Sequence, residues 1–146
     1  MIINNKKGRI IFISSILGII AKPFLGPYSS SKFAIESLAY CLKEEVKQIK
    51  GSNIDVTVID PGAYYTGFNQ EMILKQYTWM KEESYFKNIY QLLRRKLINE
   101  FNFIEKQKLN SIIKEYVKAV EDTKCKKRYY APKIQYYFAK IIQLFR

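Results

Sequence analysis

The chain has 146 residues, enough for one domain with a real core and too few for two. At 48% hydrophobic it is no disordered tail, and the absence of histidine excludes His-based triads and His-ligated metals. The formal charge of +12 invites a nucleic-acid or membrane reading.

The charge does not gather in one patch. Lys124, Lys126, Lys127 and Arg128 sit beside Tyr129 and Tyr130, a mixture that can grip single strands. Lys, Ile, Asn and Tyr are nevertheless enriched along the whole chain, as a composition bias produces, so a nucleic-acid partner is not expected. Cys41 and Cys125 have no metal spacing and suggest no disulfide framework; Cys41 reads as a helix core residue and Cys125 as a loop thiol. No apolar run reaches the roughly 18 residues of a spanning helix and no signal-peptide pattern opens the chain, so the expected location is cytoplasmic.

Residues 1–7 are a polar lead-in. Residues 9–15, Arg9-Ile10-Ile11-Phe12-Ile13-Ser14-Ser15, form a short β-branched run that reads as a buried parallel strand. Gly18, Pro23, Gly26 and Pro27 mark the loop 16–27. From Tyr28 the spacing of Phe33, Ala34, Leu38, Ala39, Leu42, Val46 and Ile49 predicts a helix ending near Gly51. Residues 54–60, Ile54 to Asp60, read as a second strand, which a helix of this kind joins in parallel as a right-handed crossover.

Residues 67–105 carry Phe68, Met72, Ile73, Tyr77, Trp79 and Met80 ahead of a helical run from Tyr85 to Phe101. A further amphipathic helix is expected over 106–123, then a third strand at Arg128-Tyr129-Tyr130-Ala131. The tail 133–146 alternates basic residues with Ile134, Tyr136, Tyr137, Phe138, Ile141, Ile142, Leu144 and Phe145. It reads either as an amphipathic helix on a membrane surface or, by preference, as a helix packed on its own domain or on a second subunit.

The chemistry centres on Tyr28-Ser29-Ser30-Ser31-Lys32. Residues at i and i+4 share a helical face about 6 Å apart along the axis, and an ammonium beside a phenol favours the phenolate. A phenol so tuned is a general acid or base. Ser15, thirteen residues before Tyr28, adds a hydroxyl able to steady a substrate oxygen. Alone, Tyr-x-x-x-Lys is a weak pattern that many helices contain. Its context is more specific: a strand ending in Ser14-Ser15, then Tyr28 and Lys32, then Pro61-Gly62-Ala63-Tyr64-Tyr65-Thr66 after the next strand.

In these three spaced motifs the chain resembles the short-chain dehydrogenase/reductase family. Phe24-Leu25-Gly26-Pro27-Tyr28 and Pro61-Gly62 with Thr66-Gly67-Phe68 look most like its hydroxysteroid- and retinol-dehydrogenase-like branch. The resemblance implies an α/β fold, part of a Rossmann-like doubly wound sheet with about three parallel strands. It implies NAD or NADP as cofactor and a small, apolar alcohol or carbonyl as substrate. By the same resemblance Tyr28 handles the proton, Lys32 tunes it and holds the nicotinamide ribose, and Ser15 fixes the substrate oxygen. Pro61, Gly62, Tyr64 and Thr66 hold the nicotinamide half, and residues 67–105 wall the substrate pocket, where their apolar side chains compete with a plain core role.

The departures from the family are as large as the match. The Thr-Gly-x-x-x-Gly-x-Gly loop that seats a pyrophosphate on a helix N-terminus is absent, as are the Asn-Asn-Ala-Gly strand and the helix-borne catalytic Asn. Asn4 and Asn5 lie too close to the first strand to take that role. Residues 1–132 are therefore expected to be the second half of one family domain, and 133–146 a basic amphipathic tail. A truncated or split oxidoreductase, a separately encoded first half, a homo-oligomer if complete, and a non-catalytic interaction piece all follow as expectations. The isolated chain is expected to turn over little.

Overall fold

A computed structural model describes residues 7–81 and 84–145; most of the polar lead-in, with Asn4 and Asn5, lies outside the described residues. By internal contacts the chain divides into two units, Met1–Gly62 with Asn110–Arg146, and Ala63–Leu109.

β-branched side chains set the centre of the first unit. Ile10, Ile11 and Ile13 in β1 (Gly8–Ile13) and Val56 to Ile59 in β2 (Ile54–Pro61) suit a pleated surface, but only β2 is buried; β1, expected as a buried strand, is half-buried and ends on an exposed Ile13. The two strands pair in parallel, from Gly8 opposite Ile54 to Ile13 opposite Ile59. β3 (Arg128–Ala131) adds on the other side of β2, also parallel, with Val58 opposite Arg128 and Pro61 opposite Ala131. The sheet order is β1-β2-β3, the partial doubly wound α/β sheet expected from the sequence. The edge of β1 away from β2 has no strand partner among the described residues.

Parallel neighbours require a connection that returns over the sheet. Between β1 and β2 this is α1 (Gly26–Gln48), which opens with Pro27 in its first turn and ends where Ile49 becomes extended and Gly51 takes a φ of +78°. Ala39 and Val46 face inward, whereas Phe33, Leu38, Tyr40 and Cys41 are exposed. Cys41 is thus not a core residue. The apolar surface of α1 wraps more than one face, so periodicity alone could not say which side the sheet covers.

β1 stops at Ile13, two residues earlier than expected. Ser15 instead caps a 3₁₀ turn, Ile16–Gly18, its Oγ accepting the Leu17 N–H at 3.2 Å. Arg9, near the start of β1, reaches the end of α4 (Asn110–Glu121). Its guanidinium donates to the carbonyls of Ala119 and Asp122 at 2.8 Å each and to the Asp55 carboxylate at 3.2 Å. Helix C-termini leave carbonyls without intrahelical partners, and a cation there also meets the negative end of the helix dipole. α5 (Lys133–Leu144) follows β3 at once and buries Tyr136 and Ala139, with the Tyr136 ring stacked on that of Tyr130, centroids 3.7 Å apart.

The second unit pairs α2 (Phe68–Trp79) with α3 (Tyr90–Ile104). Gly67, at a φ of +83°, makes the left-handed entry to α2 that side-chain-bearing residues resist. Ile73, Tyr77 and Met80 are buried, as are Leu97 and Phe101, so much of the apolar content of this segment is core. Glu105 closes the unit, accepting from Asn69 at 2.7 Å and Gln70 at 2.9 Å. The helix expected from Tyr85 begins only at Tyr90, because Ser84 starts a turn: its hydroxyl accepts the Phe86 N–H at 3.1 Å and its carbonyl the Lys87 N–H.

Candidate active site

Two local structures meet at the carboxyl end of β1. Its last residue, Ile13, and then Ser14 run into the Ser15-capped 3₁₀ turn, and the first turns of α1 return beside them. The Ser14 N–H donates to Ile59, which extends the sheet by one bond, and the Ser14 hydroxyl points to the Lys32 carbonyl at 3.5 Å. The Lys32 ammonium donates to the Ile13 carbonyl at 3.2 Å and lies 5.7 Å from the centroid of the Tyr28 ring. That is within the reach of a cation–π attraction. The structure therefore brings Tyr28 and Lys32 together and moors Lys32 at the strand end from which Ser15 departs. The Ser15 Oγ spends one lone pair on the Leu17 N–H, leaving its proton and second lone pair for another partner.

Gly18 makes this approach possible. A Cβ there would lie 2.6 Å from the Ser14 Oγ and 3.1 Å from the Lys32 carbonyl oxygen, so only a bare backbone lets the turn sit against α1. At the end of β2, Gly62 donates its N–H to Ala131 at 2.8 Å, and a Cβ on it would come within 2.7 Å of the Pro132 ring. Pro61 and Gly62 thus share a unit with Ser15, Tyr28 and Lys32. Tyr64 and Thr66 belong to the second unit. There Tyr64 is buried and paired with Lys106, and the Thr66 hydroxyl accepts the Phe68 N–H at 3.4 Å, at the entry to α2.

Beneath Lys32 lies a cluster that sequence reading missed. Glu36, one turn further along α1, pairs with Arg128 at the start of β3, Nη2 to Oε2 2.5 Å and Nη1 to Oε1 3.1 Å. The same guanidinium binds Asp60, which is fully buried at the end of β2. One cation serves two carboxylates, and the Asp60 Oδ1 has no hydrogen-bond partner among the described residues. Burial pushes the Asp60 carboxyl up to about 7 against the pull of Arg128. Burial also opposes ionisation of Glu36, but hydrogen bonds from Arg128 and Ser14 outweigh it and hold Glu36 below its usual range. Arg128 is raised despite its own burial, by the hydrogen bonds and charges of both acids. The available signal was an acid or base on each of three apolar elements, with Asp60 directly before Pro61-Gly62.

Polar side chains at the carboxyl ends of adjacent parallel strands mark the class: an open α/β domain with its ligand-facing side at that end of the sheet. The chain belongs to the short chain dehydrogenase family, whose model matches residues 1–76. It is 37% identical over 78 residues to the 3-ketodihydrosphingosine reductase of Bacteroides thetaiotaomicron, a match covering 53% of this chain and 28% of that protein. It is 42% identical over 67 residues to dehydrogenase/reductase SDR family member 7B of Rattus norvegicus, covering 46% of this chain and 20% of that one. Among solved structures it is similar to a short chain dehydrogenase/reductase from Burkholderia phymatum in complex with NAD. There the TM-score is 0.70 at 17% identity, over 100% of this chain and 52% of the other. The chain spans about half the length of that solved relative, and its matched stretches cover less than a third of the curated ones.

Proposed function

We propose that the chain carries the proton-handling, nicotinamide-facing part of an NAD(P)-dependent oxidoreductase acting on an alcohol or carbonyl group. The observation that carries this reading is the Lys32 ammonium, held between the Ile13 carbonyl and the Tyr28 ring at the carboxyl end of β1. An ammonium fixed beside an aromatic ring, with donors to spare, can steady charge that develops on a bound ligand. In this reading Tyr28 gives or takes the proton at the substrate oxygen, Ser15 orients that oxygen with its remaining hydrogen-bonding capacity, and Lys32 also holds the cofactor ribose.

The residues fit one half of the cofactor. Gly62 and Pro61 close the end of β2 with bare or rigid backbone, and the nicotinamide-side role of Tyr64 and Thr66 rests on the family resemblance alone. The bound nicotinamide supplies or accepts the hydride. No glycine-rich pyrophosphate loop stands in these 146 residues, so grip on the adenine half is weak and turnover by the chain alone is small. NAD and NADP fit these residues equally. Exposed apolar residues within 67–105, Phe68, Phe86 and Ile89, suit an apolar substrate.

A second reading, a non-catalytic piece that pairs with another polypeptide, is favoured by the edge of β1 that has no strand partner among the described residues. Saturation-transfer NMR with reduced nicotinamide mononucleotide and with NADH separates the two. The oxidoreductase reading expects signal from nicotinamide and ribose protons, weaker signal from adenine, and loss of both in Lys32→Met. Equal signal in parent and Lys32→Met, or none in either, defeats it.

A further inference from the structure

We propose that α5 docks the protein on an anionic lipid surface, lying in the interface rather than crossing it. The helix has two apolar faces. One holds Tyr136 and Ala139 and is buried on the sheet side of its own unit. The other holds Ile134, Tyr137, Phe138, Ile141 and Leu144, continued by Phe145 just past the end, at spacings of three and four residues that make one stripe. Every member of this stripe is exposed, Ile134 at 76%, Leu144 at 83% and Phe145 at 86%. The packed-helix expectation for the tail explains the first face and leaves the second uncovered.

Charge selects the occupant. From Thr123 to the last residue there is no acidic side chain, while Lys124, Lys126, Lys127, Lys133 and Lys140 are all basic. Lys133 and Lys140 are seven apart on one helix edge, each one turn before a stripe residue, Tyr137 and Leu144, so they border the apolar stripe along its length. A second copy placed stripe to stripe would set these lysines and a +12 chain against their like, with no acid in the segment to answer them. Anionic headgroups answer them, and acyl chains cover the stripe. The twelve residues of α5 span about 18 Å at 1.5 Å per residue, short of a bilayer core, and among the described residues no helix is long and apolar enough to cross a membrane.

The test is flotation of the full chain with vesicles of phosphatidylcholine and phosphatidylglycerol in equal parts, against phosphatidylcholine alone. The parent is expected to float with the mixed vesicles and far less with the neutral ones. Phe138→Glu with Ile141→Glu, both on the exposed stripe, lowers the bound fraction about tenfold or more while the far-ultraviolet circular dichroism stays that of the parent. Lys133→Glu with Lys140→Glu weakens binding to the mixed vesicles alone. Failure of the parent to float, or equal flotation of the Phe138/Ile141 variant, overturns the proposal. So does a dimer of the parent in sedimentation that those two glutamates split, since the stripe then faces a second copy.

Discussion

Lys32 and Glu36 are neighbours one turn apart on α1, yet they belong to two differently built regions. Glu36 sits in a closed ionic cluster with Arg128 and Asp60, which joins α1, the end of β2 and the start of β3. Lys32 makes one bond to a backbone carbonyl and stands by an aromatic ring, half-exposed, with donors to spare. The first region is fully committed to holding elements together. The second is held only enough to point its ammonium. The difference teaches how a fold can place a reactive side chain: the rigid cross-tie sits one helical turn below it, so the working residue need not carry structure itself.

Arg128 offers the largest break in that contrast. Arg128→Leu leaves the Asp60 and Glu36 carboxyls buried beside each other without a cation, a loss of about 3–5 kcal/mol. Urea unfolding followed by circular dichroism reads it. A loss near zero would show that the cluster ties nothing. Gly18→Ala comes next, because its Cβ lands 2.6 Å from the Ser14 Oγ and 3.1 Å from a backbone carbonyl. The expected loss is about 1–3 kcal/mol. Adding Ser14→Ala removes the first clash and leaves the second, so the double variant recovers part of the loss.

Asp60→Asn sharpens the comparison through pH. The Asp60 carboxyl is raised to about 7 in the fold, well above its unfolded value, so the folded state binds the extra proton between those limits. Its contribution to stability is complete below about pH 4 and is lost as pH rises through 7, with a slope on the order of 1 kcal/mol per pH unit. Asn mimics the protonated form and flattens that slope, while Glu36 keeps Arg128 paired. Glu36, held low, works the other way: its contribution is present above its usual range and lost as pH falls further. Unfolding midpoints of parent and Asp60→Asn from pH 5 to 8 should therefore diverge at the alkaline end, the variant being the more stable there. Parallel curves would mean that Asp60 is ionised throughout.

The two regions also differ in how far sequence alone reveals them. Tyr28 and Lys32 are legible because four residues on a helix are neighbours by geometry, and β1 and β2 because β-branched runs have few other uses. Arg128 stands 92 residues from Glu36 and 68 from Asp60, and nothing local announces that three elements will converge there. Cys41 was misjudged for a related reason: α1 is apolar over more than half its girth, and only the sheet decides which part is covered. The Tyr85 start failed on a turn that Ser84 makes with its own hydroxyl, a signal present in the sequence but outweighed by the apolar run after it. The doubled apolar surface of α5 shows the opposite limit: its spacing suits a surface-lying and a packed helix alike, and only the structure shows one apolar face packed and a second exposed.

The smallest expected effect on stability is the most telling for function. Lys32→Met keeps the length and apolar stem of the side chain and removes only the ammonium, with its single bond to the Ile13 carbonyl. That carbonyl lies at a strand end where water can replace the lost donor, so the unfolding free energy should change by no more than about 0.5 kcal/mol. Under the proposed function the same substitution removes the donor to the cofactor ribose and the charge beside the Tyr28 phenol, so the nicotinamide signal disappears from a chain of parental stability. A structural lysine gives the reverse result, a clear drop in stability with the nicotinamide signal unchanged. Set beside Arg128→Leu, which weakens the fold by stripping two carboxylates of their shared cation, the pair separates the charge that builds the site from the charge that works in it.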